Sequence, residues 1–170
     1  MGYTTDFEGA FVFEKPLTIP QATYLNLFAG TRRMKRNADI MPPDGTHIYA
    51  HLPLGEFAEY YVDGKGFAGQ DREDSILDYN SPPPTQPSLW CNWVTNYGEH
   101  CRDTAEAERT LLFWNGNEKF YNYVEWLEYI IDNFIIRWEN KLNGVVVWKG
   151  ELDNDMGRIR IVENHITVKD

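Results

Sequence analysis

The chain has 170 residues and a formal net charge of −10, with 42% hydrophobic and 15% aromatic residues. That length suits a single domain over residues 1–170, able to bury about 70% of its unfolded surface without staples, and the charge argues against a general binder of phosphate backbones. No apolar run approaches the roughly 18 residues of a membrane span, and the start MGYTTDFEGAF has neither the basic nor the apolar region of a secretory signal.

Phe7–Phe13 alternates loosely and predicts a first strand, closed by Lys15-Pro16. Thr18 can cap a helix that begins at Ile19-Pro20, with proline in the first turn where its missing N–H costs nothing. Tyr24, Leu25, Leu27 and Phe28 give that helix its buried face, and a basic knot, Arg32-Arg33-Met34-Lys35-Arg36, follows it. Asn37–Gly55 is rich in proline and turn residues and reads as loop, Glu59–Val62 as a short strand, and Asp71–Pro87 as irregular chain around Ser81-Pro82-Pro83-Pro84. Leu89–Thr95 alternates as a strand, so Trp90 and Trp93 should face opposite sides and at most one should be exposed.

Thr110–Trp114 is a further strand, followed by Asn115-Gly116 and a cap at Asn117. The broadest signal is Lys119–Trp138, KFYNYVEWLEYIIDNFIIRW. Phe120, Val124, Leu127, Ile131, Phe134 and Trp138 recur at helical spacing, with Glu125, Glu128 and Asp132 opposite. Leu142-Asn143-Gly144-Val145 predicts a two-residue hairpin turn. Val145–Gly150, Gly157–Val162 and Ile166–Lys169 then form a meander with turns at Asn154-Asp155 and Glu163-Asn164. The expected fold is α+β: an antiparallel sheet with two main helices packed on one face, loosely ferredoxin-like, ending in a β-meander.

Several constellations bear on chemistry. Gly64-Lys65-Gly66-Phe67-Ala68-Gly69 matches G-x-G-x-x-G, but it lacks the strand–helix context that aims backbone N–H groups at a phosphate, so a surface loop is the better reading. His47 and His51 do not form H-E-x-x-H, and the nearby prolines oppose the helix that motif needs. Cys91, His100 and Cys101 offer no C-x-x-C pair, so no metal is expected, and both cysteines fit a reducing cytoplasm. No cofactor motif stands out. Asp63, Asp71, Glu73, Asp74 and Asp78 could house an acid/base pair, though a solvated acidic loop explains them as well.

Two anomalies remain. The basic knot packs four of only sixteen basic residues into five positions, which suits either a helix C-terminus or an anion site. Asp78-Tyr79-Asn80 through Trp90–Trp93 sets rings and amides beside a proline-stiffened loop, which can lid a sheet or stack on a planar ligand. Together they give the expected binding residues: Arg32, Arg33, Arg36, Tyr79, Asn80, Trp90 and Trp93.

MGYTTDFEGAF with Lys15-Pro16-Leu17, TRRMKR, the Asp78–Trp93 block and EKFYNYVEWLEYI resemble a family of short uncharacterised proteins of bacteriophages and some bacteria. The likeness spans most of the chain and is most specific in the aromatic helix; the acidic Glu99–Glu108 departs from it as a loop insertion. The resemblance implies a phage-type accessory protein of the host cytoplasm and carries over no catalytic residues. The leading expectation is a non-enzymatic protein that binds a host protein or a small anionic, nucleotide-like ligand. The alternative is a small hydrolase or transferase acting on a nucleotide or sugar derivative through Asp or Glu.

Overall fold

The computed structural model describes residues 2–41, 52–63, 70, 74–98 and 109–170. Its elements are β1 (Thr5–Phe13), α1 (Ile19–Ala29), β2 (Lys35–Arg36), a 3-10 turn (Ala38–Ile40), β3 (Ile76–Asp78), β4 (Trp93–Thr95), β5 (Leu111–Trp114), α2 (Tyr123–Ile130), a π-helical turn (Ile131–Ile135), β6 (Leu142–Gly150), β7 (Met156–Val162) and β8 (His165–Lys169). The protein is α+β with an antiparallel sheet and two helices. Its chain forms two compact units, Met1–Thr18 with Asn92–Asp170, and Ile19–Cys91.

The first unit is built on a six-stranded sheet of order β4-β5-β1-β6-β7-β8. β1 pairs with β6 along its whole length, from Thr5↔Gly150 to Phe13↔Leu142. Alternation decides the faces: Phe11, Phe13, Leu142, Val146, Trp148, Ile159 and Ile161 are buried, while Asp6, Glu8, Val12 and the odd-numbered residues 145–149 are exposed. The buried face is largely aromatic. Phe7 touches four rings, Trp93, Trp114, Phe120 and Tyr123, with centroids 4.8–5.8 Å apart. The Trp93 indole N–H donates to the Tyr123 carbonyl at 3.0 Å, tying β4 to the start of α2.

The aromatic helix is shorter than its periodicity predicts. Lys119 and Asn122 adopt positive φ, and Asn122, not Asn117, is the N-terminal cap residue. Phe120 is nevertheless buried, dropping into the core from the preceding loop. The face assignment holds: Leu127, Ile131 and Phe134 are buried, and Glu125, Glu128 and Asp132 are exposed.

Asn143-Gly144 is not a hairpin turn; it lies inside β6, where Gly144 pairs with Phe11. Gly144 has φ +130°, and a Cβ there would sit 3.0 Å from the Ala10 carbonyl oxygen, so glycine serves a close strand approach. The tight turn is Glu163-Asn164, both at positive φ, closing the Val162↔His165 pair.

In the second unit α1 buries Ala22, Tyr24, Leu25 and Phe28, and β2 and β3 form a two-stranded sheet. β3 falls within the stretch expected to be irregular, and Leu89–Thr95 is strand only from Trp93. Glu59–Val62 is not a strand. The Glu59 and Tyr61 carbonyls instead accept hydrogen bonds from side chains, which removes the need for a partner strand. Gly64–Gly69, His47, His51, Asp71, Glu73, His100 and Cys101 lie outside the described residues.

Candidate functional site

The basic knot is the segment that leaves α1. The Thr31 hydroxyl donates to the Leu27 carbonyl at 2.7 Å and accepts from the Asp63 amide at 2.9 Å, fixing the exit. From there each cation lies over a different ring: Arg32 over Tyr79 at 4.4 Å, Arg33 over Phe28 at 4.2 Å, Lys35 over Phe57 at 4.4 Å and Arg36 over Tyr61 at 4.5 Å. Four cations are thereby held apart by four aromatic faces, which attract them through the ring quadrupole.

Burial separates the four. Arg33 is 2% and Arg36 is 1% exposed, whereas Arg32 and Lys35 are half-buried. The Arg33 guanidinium donates to the carbonyls of Thr31 (3.3 Å), Glu59 (3.1 Å) and Tyr61. Arg36 donates to the Ser75 hydroxyl at 3.4 Å. Both act on the unit's own interior, holding Glu59–Tyr61 and Ser75 against the basic segment.

Arg32 faces outward. Its Nε donates to the Tyr79 carbonyl at 3.1 Å and one Nη to Asn80 Oδ1 at 3.4 Å. The guanidinium donors not used in these two bonds can donate to a carboxylate or phosphate. The turn beneath is itself braced: Asp78 Oδ1 accepts from the Asn80 amide at 2.9 Å, and the Lys35 amide donates to the Ser81 carbonyl at 2.9 Å. The Asn80 amide, then the Ser81 side chain, hold the Asp78 carboxyl below its ordinary range. The Tyr79 hydroxyl donates to Gln70 Oε1 at 2.8 Å, which fixes the ring, while Leu77 stands exposed beside it. The result is a surface of one guanidinium edge, one phenol ring and one carboxamide on a stiff turn.

The sequence-predicted residues therefore separate. Arg32, Tyr79 and Asn80 come together at the surface, with Arg33 and Arg36 beneath them in the same unit. Trp90 is half-buried in that unit. Trp93 is 1% exposed and packs with Phe7, Phe11 and Phe120 in the other unit, so it is a core residue there. The strand alternation expected over Leu89–Thr95 does not relate the two tryptophans, because the strand begins at Trp93 and Trp90 precedes it. Among the described residues, no group of three or more His, Cys, Asp or Glu side chains could hold a metal ion.

No family model, curated protein or solved structure matches this chain.

One feature of the surface escaped the sequence reading. Lys149, Arg158, Arg160 and Lys169 project from the exposed face of β6–β8, although they are scattered over twenty-one positions of sequence. The available signal was the Arg158-x-Arg160 spacing within an alternating strand.

Proposed function

We propose that this protein is a non-enzymatic accessory binding protein of phage type, working in the host cytoplasm. It holds a host protein or a small anionic, nucleotide-like ligand against the Arg32–Tyr79–Asn80 surface. The observation that carries the reading is the pinned Arg32 guanidinium, stacked on Tyr79 and anchored to the Asn80 carboxamide with donors to spare. A fixed fork loses little conformational freedom on meeting an anion, and the adjacent ring offers a planar ligand a stacking face. Arg33 and Arg36 serve as the supports that hold this platform rigid. No helix among the described residues is long and apolar enough to cross a membrane.

Native mass spectrometry of the protein purified from its host tests the proposal. The wild-type chain should carry an anionic small molecule or a partner protein, and Arg32→Ala should lose it while staying folded. An Arg32→Ala protein that retains the same species would count against it.

A further inference from the structure

The outward face of β1-β6-β7-β8 does not follow the usual rule of polar residues toward water. Val12, Val145, Val147, Met156 and Val162 all lie on it, each 42–49% exposed. The register places them in neighbouring cross-strand rows: Glu8–Val147–Arg158–Lys169, Ala10–Val145–Arg160–Thr167, and Asp6–Lys149–Met156. Apolar side chains thus run down the middle, with cations on the β7–β8 side. A concavity of about 710 Å³ lies against Val147, Met156 and three cations, Lys149, Arg158 and Lys169, with the carboxylates Asp6, Glu8 and Asp170 and the alternate-face residues Phe7 and Trp148 also in its wall. A smaller one of about 290 Å³ is formed by Arg158, Arg160, Val162, Thr167 and Lys169, with no carboxylate in its wall.

The charges of this face differ from the arginines of the basic knot. Arg32, Arg33, Arg36 and Lys141 are engaged by protein acceptors, whereas the side chains of Lys149, Arg158, Arg160 and Lys169 make no hydrogen bond or ion pair among the described residues. Asp6 and Glu8 face the same solvent from β1, Asp170 adjoins Lys169, and His165 stands at the far end of β8. The positive pole is consequently the β7–β8 side, in a chain whose net charge is −10.

We propose that this face docks an acidic protein segment that also carries apolar side chains. Its carboxylates would meet Arg158, Arg160 and Lys169, and its apolar residues would cover Val145, Val147 and Met156. Three considerations select this occupant. The cations converge on a carboxylate-free hollow, which calls for an anion. The valines and Met156 beside them call for apolar contact that an inorganic ion or a purely charged chain would not supply. No aromatic ring stands on these four strands' outward positions, so a single-stranded nucleic acid would find phosphate contacts but no stacking platform. A second copy turned about the strand direction would set Asp6 and Glu8 of one copy against Arg158 and Arg160 of the other, so self-association is an outcome that the test separates from peptide docking. This surface belongs to a different unit from Arg32, and its test is independent of that site.

The test is selection of a random peptide display library on the full-length wild-type chain, with counter-selection on an R158E/R160E variant. Both substituted residues are exposed, and circular dichroism with a melting curve checks that the variant folds; V147D supplies a second variant that leaves the cations intact. The expected peptides combine Asp or Glu with Leu, Ile, Val, Met or Phe. A synthetic copy of the most enriched one should bind the wild type on the order of tenfold tighter than either variant, and more weakly at high salt. Enriched peptides without an acidic excess, or equal binding to wild type and R158E/R160E, would overturn the proposal. So would saturable oligo(dT) binding, or self-association in sedimentation velocity, if the same variant abolished it.

Discussion

Truncating Arg33 to alanine should destabilise the protein by about 3–5 kcal/mol, the cost of removing one partner from a buried charge network. The magnitude follows from what the guanidinium holds. It is 2% exposed, lies 4.2 Å above the Phe28 ring and donates to the carbonyls of Thr31, Glu59 and Tyr61. Each hydrogen bond to a charged group contributes roughly 1.5–3 kcal/mol, which sets an upper sum well above the predicted loss. Glu59 softens that loss, because its carbonyl keeps a second donor in Gln86 Nε2 at 2.6 Å. Thr31 and Tyr61 lose their guanidinium donor outright. Arg33→Lys should recover only part of the stability, since an ammonium cannot span three carbonyls with a planar fork. Arg32→Ala, which gives up an outward-facing cation–π contact, should cost about 1 kcal/mol or less. Urea unfolding followed by tryptophan fluorescence and circular dichroism measures all three. An Arg33→Ala protein within about 0.5 kcal/mol of wild type would refute the assignment of Arg33 as an internal clamp.

Leu127→Ala should cost about 2–5 kcal/mol, because Leu127 is fully buried, while the exposed Glu128→Ala should stay within about 0.5 kcal/mol. Similar small losses in both would contradict the packing of α2. Gly144→Ala should cost about 1–3 kcal/mol from its positive φ alone, with faster amide exchange along β1 and β6, since the new Cβ meets backbone at 3.0 Å. A neutral Gly144→Ala would mean that the strands do not approach there. The Asp78 carboxyl should titrate below the ordinary aspartate range by NMR, because the Asn80 amide and Ser81 favour its charged form. Its contribution is therefore present above the unfolded-state value and is lost as the pH falls through the depressed one. A midpoint at or above the ordinary value would contradict the braced turn.

Periodicity made most of the first unit legible. Phe7–Phe13, the two-sided aromatic helix and the C-terminal meander each repeat their apolar residues at the spacing of the element they form. It failed where backbone conformation is set by neighbours. Asn143-Gly144 carries the composition of a tight turn, yet its glycine is needed because β1 passes close by, a contact between residues 133 positions apart. Helical spacing extended through Phe120 because burial from a loop and burial from a helix leave the same apolar mark. Glu59–Val62 looked like a strand because tyrosine and valine favour extended chain, but its carbonyls are claimed by Arg33 and Gln86. The basic knot was visible as a cluster, but not its division into inward Arg33 and Arg36 and outward Arg32. A guanidinium can be buried wherever enough carbonyls converge, and that convergence is assembled from distant residues. The exposed cations of β7 and β8 were hidden for the converse reason: spread along the sequence, they meet only through strand pairing.

A double-mutant cycle between Arg32 and Tyr79, read as affinity for the species that co-purifies with the wild-type chain, tests the proposed binding surface most directly. Arg32→Ala should weaken binding roughly ten- to hundredfold, the equivalent of one charge-assisted hydrogen bond. Tyr79→Ala should weaken it too, and the double variant should lose less than the sum, because the ring and the guanidinium form one unit at 4.4 Å. Wild-type affinity in Arg32→Ala and Tyr79→Ala, both folded, would contradict the claim that this surface is where the protein binds.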